Sequence, residues 1–230
     1  MNCPYAIIRP QRYFILIGTI MVIAQAKPIA TNISPKSEAS DGKVRMTLEE
    51  YRAIAETSEE RYEYCNGEII AMTGGSSAHS CIAVDITTFL NIAVRKTNFQ
   101  IYNGDLRIWV PAFNHGTYAD VLVINGEPEF NGERTDEILN PLLIVEVLSP
   151  STEGYDRGDK FRKYRSIPSF CEYLLVSQSE PYMEQYHQIN RQNNNDRWEL
   201  QICDRLEQTI YLQSLNIELP MQEVYRRVKF

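Results

Sequence analysis

The sequence lacks any C-x-x-C pair, and its five cysteines (Cys3, Cys65, Cys81, Cys171 and Cys203) are odd in number and widely spaced. This excludes a zinc cage and a disulfide framework, and it fits a reducing, cytoplasmic compartment. Positive charge is also short. At a net charge of -7 the field of the whole molecule repels polyanions, so any nucleic-acid contact has to come from a local basic patch. There is no internal repeat, and the only low-complexity stretch is the Asn-rich loop Asn190 to Asp196. The apolar run Tyr13 to Ala24 is too short for a comfortable membrane span, so no stable membrane partner is expected. What is present is 230 residues, 43% hydrophobic and 23% charged, which describes one globular domain with chain enough for a core.

The N-terminal part, residues 1–45, reads as separate from that domain. Arg9 and Arg12 precede the apolar run, and Ala24-Gln25-Ala26 has the small-residue pattern of a signal-peptide cleavage site, which would export the protein. Equally, Met21 is a candidate start, with the upstream residues an over-extended gene start. From Lys27 to Lys43 the chain is rich in Pro, Ser, Ala and charge, as a flexible arm is.

The folded part is expected over residues 46–230. Thr47-Leu48-Glu49-Glu50 is a capping-box pattern that opens a helix to about Glu56. Asn66-Gly67, flanked by Arg61 to Cys65 and Glu68 to Met72, predicts a two-residue hairpin. After Gly74-Gly75-Ser76-Ser77, the apolar residues Ile82, Ile86, Phe89, Leu90 and Ala93 recur at helical spacing, which predicts the main packing helix to about Thr97. Strands are expected at Phe99 to Tyr102, Leu106 to Val110, Tyr118 to Ile124, Leu142 to Leu148 and Glu172 to Val176. Further strands are expected at Tyr182 to Ile189, Trp198 to Cys203 and Thr209 to Leu215. Helices are expected at about Arg157 to Arg165 and Gln222 to Arg227. The pattern is α/β with a mixed β-sheet flanked by helices.

Two of these strands each carry one carboxylate in an otherwise apolar run: Asp120 in Thr117 to Ile124 and Glu146 in Leu142 to Leu148. Burying such a charge is costly unless something pairs with it, and two of them suggest a metal site. A basic helix follows.

This order resembles the PD-(D/E)XK nuclease superfamily. More narrowly, Met46 to Tyr51, Arg61 to Tyr64 with Asn66 to Glu68, Tyr118 to Val121, Ile144 to Thr152 and Tyr155 to Tyr164 resemble the Uma-two family of restriction-endonuclease-like proteins, common in cyanobacteria. The resemblance spans about Thr47 to Leu215 and implies a restriction-endonuclease-like fold. It also implies a Mg²⁺-dependent DNA endonuclease, with Mn²⁺ an alternative ion and a homodimer the simplest way to cut both strands. The sequence departs from the superfamily pattern at Ala119, usually proline, and at Leu148, where the pattern has lysine. The family supplies its lysine from the following helix, which maps onto Lys160.

On that resemblance Asp120 and Glu146 are catalytic metal ligands, with the Val147 carbonyl a third donor, because Mg²⁺ takes hard oxygen ligands and keeps waters. Lys160 orients the attacking water or stabilises the transition state, and Lys163 contacts phosphate. Glu63 completes the metal shell or holds a second ion. The residues also carry plainer readings. Asp120 and Glu146 fit a structural arginine network, Lys160 a solvated charged face, Asp156 an i,i+4 ion pair with it, His79 a cap, Glu68 solvent and Tyr164 packing. The rival function is a catalytically inactive nucleic-acid-binding or regulatory domain of the same fold.

Overall fold

Thr47 accepts a hydrogen bond from the Glu50 backbone N–H while Glu50 reaches back to the Thr47 N–H, the capping box that starts α1 (Leu48–Thr57). The computed structural model describes residues 45–72, 74–189 and 197–230. The expected N-terminal arm, its targeting or start segment and the Asn-rich loop lie outside the described residues. The hairpin follows as expected: β1 (Tyr62–Cys65) and β2 (Glu68–Ala71) are joined by Asn66 and Gly67 at φ 47° and 98°. Both angles are positive, as a tight turn matched to strand twist requires.

After α2 (Ser77–Val94) come β3 (Phe99–Asn103), β4 (Arg107–Val110), β5 (His115–Tyr118), β6 (Val121–Asn125), β7 (Glu137–Ile138) and β8 (Leu143–Leu148). The strand expected over Tyr118 to Ile124 is in fact two, and they belong to different sheets. One sheet runs β2-β1-β5-β4-β7. The other runs from β3 through β6 and β8 to β9 (Glu172–Ser177), β10 (Met183–Ile189) and β11 (Arg197–Cys203). The chain changes sheet at Ala119-Asp120, where the Asp120 side chain takes over a ladder position. Val121 pairs with Val145 in the antiparallel β6–β8 register, and one step further the Asp120 carboxylate takes the Val147 N–H at 2.7 Å in place of a strand carbonyl.

β8 and β9 are parallel and need a crossover, which is helical over 153–164. It consists of α3 (Glu153–Tyr155), a π turn (Asp156–Lys160) and α4 (Phe161–Tyr164). On one face of the six-stranded sheet, Ile82, Ile86 and Leu90 of α2 pack on Val121, Val123, Val145 and Leu174. On the other, Tyr164, Ile167 and Phe170 pack on Leu122, Ile144, Leu148 and Tyr173. By composition α2 is apolar enough to cross a membrane, and here that apolar character covers the sheet. The expected strand over Thr209 to Leu215 is a second hairpin, β12 (Thr209–Leu212) with β13 (Ile217–Pro220), followed by α5 (Met221–Tyr225).

Glu172, at the start of β9, fastens this second hairpin to the sheet. Its fully buried carboxylate accepts from the backbone N–H of Gln213 (2.9 Å) and of Ser214 (3.0 Å), the Ser214 hydroxyl and the Gln185 amide. All four partners are donors, so an amide at this position would turn its NH₂ toward N–H groups. Glu172→Gln is therefore expected to cost about 1–3 kcal/mol, read as a lower melting temperature with an unchanged circular-dichroism spectrum. A variant as stable as the parent would contradict the fastening role.

Candidate active site

Strand alternation explains how an apolar strand carries Glu146: it shares a face with Ile144 and Leu148, and that face is covered by the 153–164 crossover. There its Oε1 accepts from Lys160 Nζ at 3.1 Å and from the Tyr164 hydroxyl at 3.0 Å. Asp120 stands opposite at the end of β6. Its side chain is 24% exposed against 5% for Glu146, so the pair has an open end and a closed end. Among the described residues their ion-pair partners are His79 and Lys160, not arginines.

Lys160 is buried, not on a solvated face, and Lys163 is buried with it. Lys160 Nζ lies 3.1 Å from Glu146, 3.2 Å from Asp156 Oδ1 and 3.6 Å from Glu63, and it donates to the Tyr118 carbonyl at 3.2 Å. The Asp156 ion pair at i,i+4 is the one its spacing suggests. The π turn brings Tyr155, five residues back, under the Lys160 ammonium at 5.8 Å, and such turns recur at functional sites. Burial works against the Lys160 charge, but Glu146, Glu63 and Asp156 more than offset it and hold its pKa well above the ordinary lysine value. Three carboxylates around one ammonium leave an excess of negative charge. Burial first, then Asp156 and Asp120 against the opposing pull of Lys160, pushes Glu146 well above the usual carboxylate range.

Glu63 sits in the other sheet. It accepts from the Thr117 hydroxyl across the β1–β5 pair and from Tyr155 Oη at 3.2 Å. Tyr155 Oη in turn accepts from Lys163 Nζ (3.3 Å) and faces His115 Nε2 at 3.4 Å. Lys163, expected to meet phosphate, spends its ammonium on Tyr155 and the Cys65 sulfur at 3.5 Å. His115 Nδ1 lies 2.8 Å from the Tyr64 carbonyl, which only accepts, so Nδ1 carries the proton and Nε2 is the acceptor. Burial, then the nearby Lys163 charge, lowers the His115 pKa to about 4.

His79 is presented by the first turn of α2, whose N-cap Ser76 accepts from the His79 N–H and donates to the Gln178 side chain. A Cβ on Gly75 would come within 2.9 Å of His79 Nδ1, so the glycine makes room for the ring. His79 Nε2 is 3.3 Å from Asp120 Oδ2. Asp120 holds the His79 pKa up against the effect of burial, and a bond to the Val147 backbone adds to this. His79 is thus more than a cap. Glu68 is exposed, as expected, whereas Tyr164 both packs and donates to Glu146.

No three His, Cys, Asp or Glu side chains among the described residues converge as a metal cage, and Glu63 faces Lys160, Thr117 and Tyr155. The donors at hand are two carboxylates on adjacent strands, one of them open to solvent, beside the Val147 backbone. That set fits Mg²⁺, which uses one or two carboxylates and keeps waters, and it does not fit a four-ligand zinc site.

A mixed sheet with one Asp and one Glu on neighbouring strands and a lysine on the adjoining helix defines a restriction-endonuclease-like α/β protein. The chain belongs to the Uma2 family, described as "Putative restriction endonuclease", whose model matches residues 48–222. It is similar to two proteins of Synechocystis sp.: "Uncharacterized protein slr1290", 37% identical over 189 residues (81% of this chain, 94% of that one), and "Uncharacterized protein sll1609", 35% identical over 144 residues (63% and 81%). Its fold matches that of a protein from Anabaena variabilis described as "a putative nuclease belonging to DUF820". The TM-score is 0.63 at 19% identity, covering 79% of this chain and 98% of that one.

Two outcomes follow from the burial of this site. Lys160→Ala strands Glu63, Glu146 and Asp156 without their cation and should cost about 3–5 kcal/mol in denaturant unfolding, whereas a lysine on a solvated face would cost almost nothing. For His115, the folded ring stays neutral down to about 4 while the unfolded ring takes up a proton near its ordinary 6.5. Below 6.5 the unfolded chain then binds more protons, and stability falls as pH drops toward 4 by about 3 kcal/mol. His115→Gln should flatten that slope between pH 6.5 and 4 in urea titrations. An equal slope in both proteins would assign the acid sensitivity elsewhere.

Proposed function

We propose that the protein is a Mg²⁺- or Mn²⁺-dependent DNA endonuclease that hydrolyses phosphodiester bonds, acting as a homodimer on duplex DNA. The observation that carries this reading is the placement of two carboxylates on adjacent strands, Glu146 beside Lys160 and Asp120 one residue before the Val121–Val145 pair with its side chain open to solvent. A divalent cation held by Asp120 and Glu146 would supply water activation and charge neutralisation on the phosphate. Asp120 is fixed by the Val147 N–H with its side chain open to solvent, and Lys160 keeps a permanent positive charge beside Glu146 for the developing negative charge of the transition state. Family membership and the fold of the Anabaena protein support the same class.

A second reading, a binding or regulatory domain without turnover, draws on one observation: Lys160 is already engaged by Glu146, Asp156 and the Tyr118 carbonyl. The full chain incubated with supercoiled plasmid and Mg²⁺ or Mn²⁺ separates the two. Nicking or linearisation is expected. Asp120→Asn and Glu146→Gln should each abolish it and weaken metal binding in calorimetry while the protein still folds cooperatively. Plasmid left intact by the parent protein, or cut equally by both variants, would reject the endonuclease reading.

A further inference from the structure

We propose that Glu63 is the positioning carboxylate of Lys160, held for that task by the Thr117 and Tyr155 hydroxyls, and that it serves the site through the lysine, not through a metal. This rests on the reading of Lys160 as the charge that acts at the Asp120–Glu146 centre. Both Glu63 oxygens are specified by neutral donors: Oε1 accepts from the Thr117 hydroxyl and Oε2 from Tyr155 Oη at 3.2 Å. Its only ion pair among the described residues is with Lys160, at 3.6 Å. Tyr155 is itself fixed by Lys163, whose ammonium donates to Oη at 3.3 Å and leaves the hydroxyl proton for Glu63. Glu63 is therefore a rigid negative charge aimed at one ammonium.

Glu146 cannot be that anchor. Its Oε1 is shared between Lys160 and Tyr164, and in the proposed reaction Glu146 also serves a cation. Asp156, at 3.2 Å, belongs to the same helical segment as Lys160 and moves with it, and the Tyr118 carbonyl carries no net charge, so Glu63 is the charged partner that the five-stranded sheet supplies. Glu63 belongs to β1 in the five-stranded sheet and Glu146 to β8 in the six-stranded one, so Lys160 is located by both sheets. Carboxylates that orient an acting group in this way typically account for roughly 10- to 100-fold of activity.

The test combines Glu63→Gln and Tyr155→Phe in the full chain with Mn²⁺ calorimetry, plasmid cleavage and a stability cycle. Glu63→Gln should bind Mn²⁺ as the parent does, whereas Glu146→Gln should not. Its kcat should fall roughly 10- to 100-fold with the KM for DNA unchanged. Tyr155→Phe, which leaves the carboxylate in place, should show a smaller fall with the same split, and it carries the test if Glu63→Gln does not fold. Loss of Mn²⁺ binding in Glu63→Gln would make Glu63 a ligand and overturn the proposal, as would an unchanged kcat in either variant. The stability cycle of Glu63→Gln and Lys160→Met reads the pair without turnover. Glu63→Gln should be less costly in the Lys160→Met background than in the parent, and strictly additive effects would overturn the pairing. A parent that neither binds Mn²⁺ nor cuts DNA would reject the endonuclease reading, and the cycle would still decide the pairing.

Discussion

One buried ammonium holds the parts of this molecule in relation to one another. Lys160 meets Glu63 from the five-stranded sheet, Glu146 from the six-stranded sheet and Asp156 from its own helical segment. Each charge alone would be expensive to bury, and each is tolerable because the others are there. The two sheets share no ladder, since the chain passes between them at Ala119-Asp120. An apolar cluster that joins Ile108, Val110 and Ile138 to Leu122, Ile124 and Ile144 holds the sheets together, and this polar cluster sets where one sheet's carboxylate lies against the other's.

The path of the crossover serves the same end. It leaves β8 just after Leu148 and must reach β9 while placing a cation over Glu146. Within it, the π turn over Asp156–Lys160 adds a residue to the helical repeat. Lys160 and Tyr164 then reach the same Glu146 oxygen, while Phe161 turns away to stack on Tyr173. In these twelve residues, alternating helical types separate the polar site from the aromatic core.

Much of this was legible in the sequence because it is local. Asn66-Gly67, Thr47 with Glu50, and the alternation around Glu146 each act over a few residues, and each forms as expected. What could not be read depends on partners far away along the chain. Tyr118 to Ile124 looks like one strand since nothing local marks Asp120 as capping the Val147 N–H, 27 residues on. The basic run Arg157 to Arg165 looks like a solvated face, yet Lys160 and Lys163 are drawn inward by Glu63, Glu146 and Tyr155 from other elements. Glu172 and His115 carried no signal at all. Their partners are a loop 41 residues later and a carbonyl 51 residues earlier.

The unequal exposure of Asp120 and Glu146 gives the centre a direction. Glu146 is enclosed by Lys160 and Tyr164, so its surroundings change only if the crossover moves, whereas Asp120 opens to solvent beside His79. In the proposed reaction a cation would meet Asp120 first and would share it with the His79 ring, for which Gly75 leaves room. The net charge of -7 counts against DNA at long range, but cations concentrate near a surface of that sign. The same negative charge that repels the polyanion thus favours the cation that the proposed hydrolysis would use.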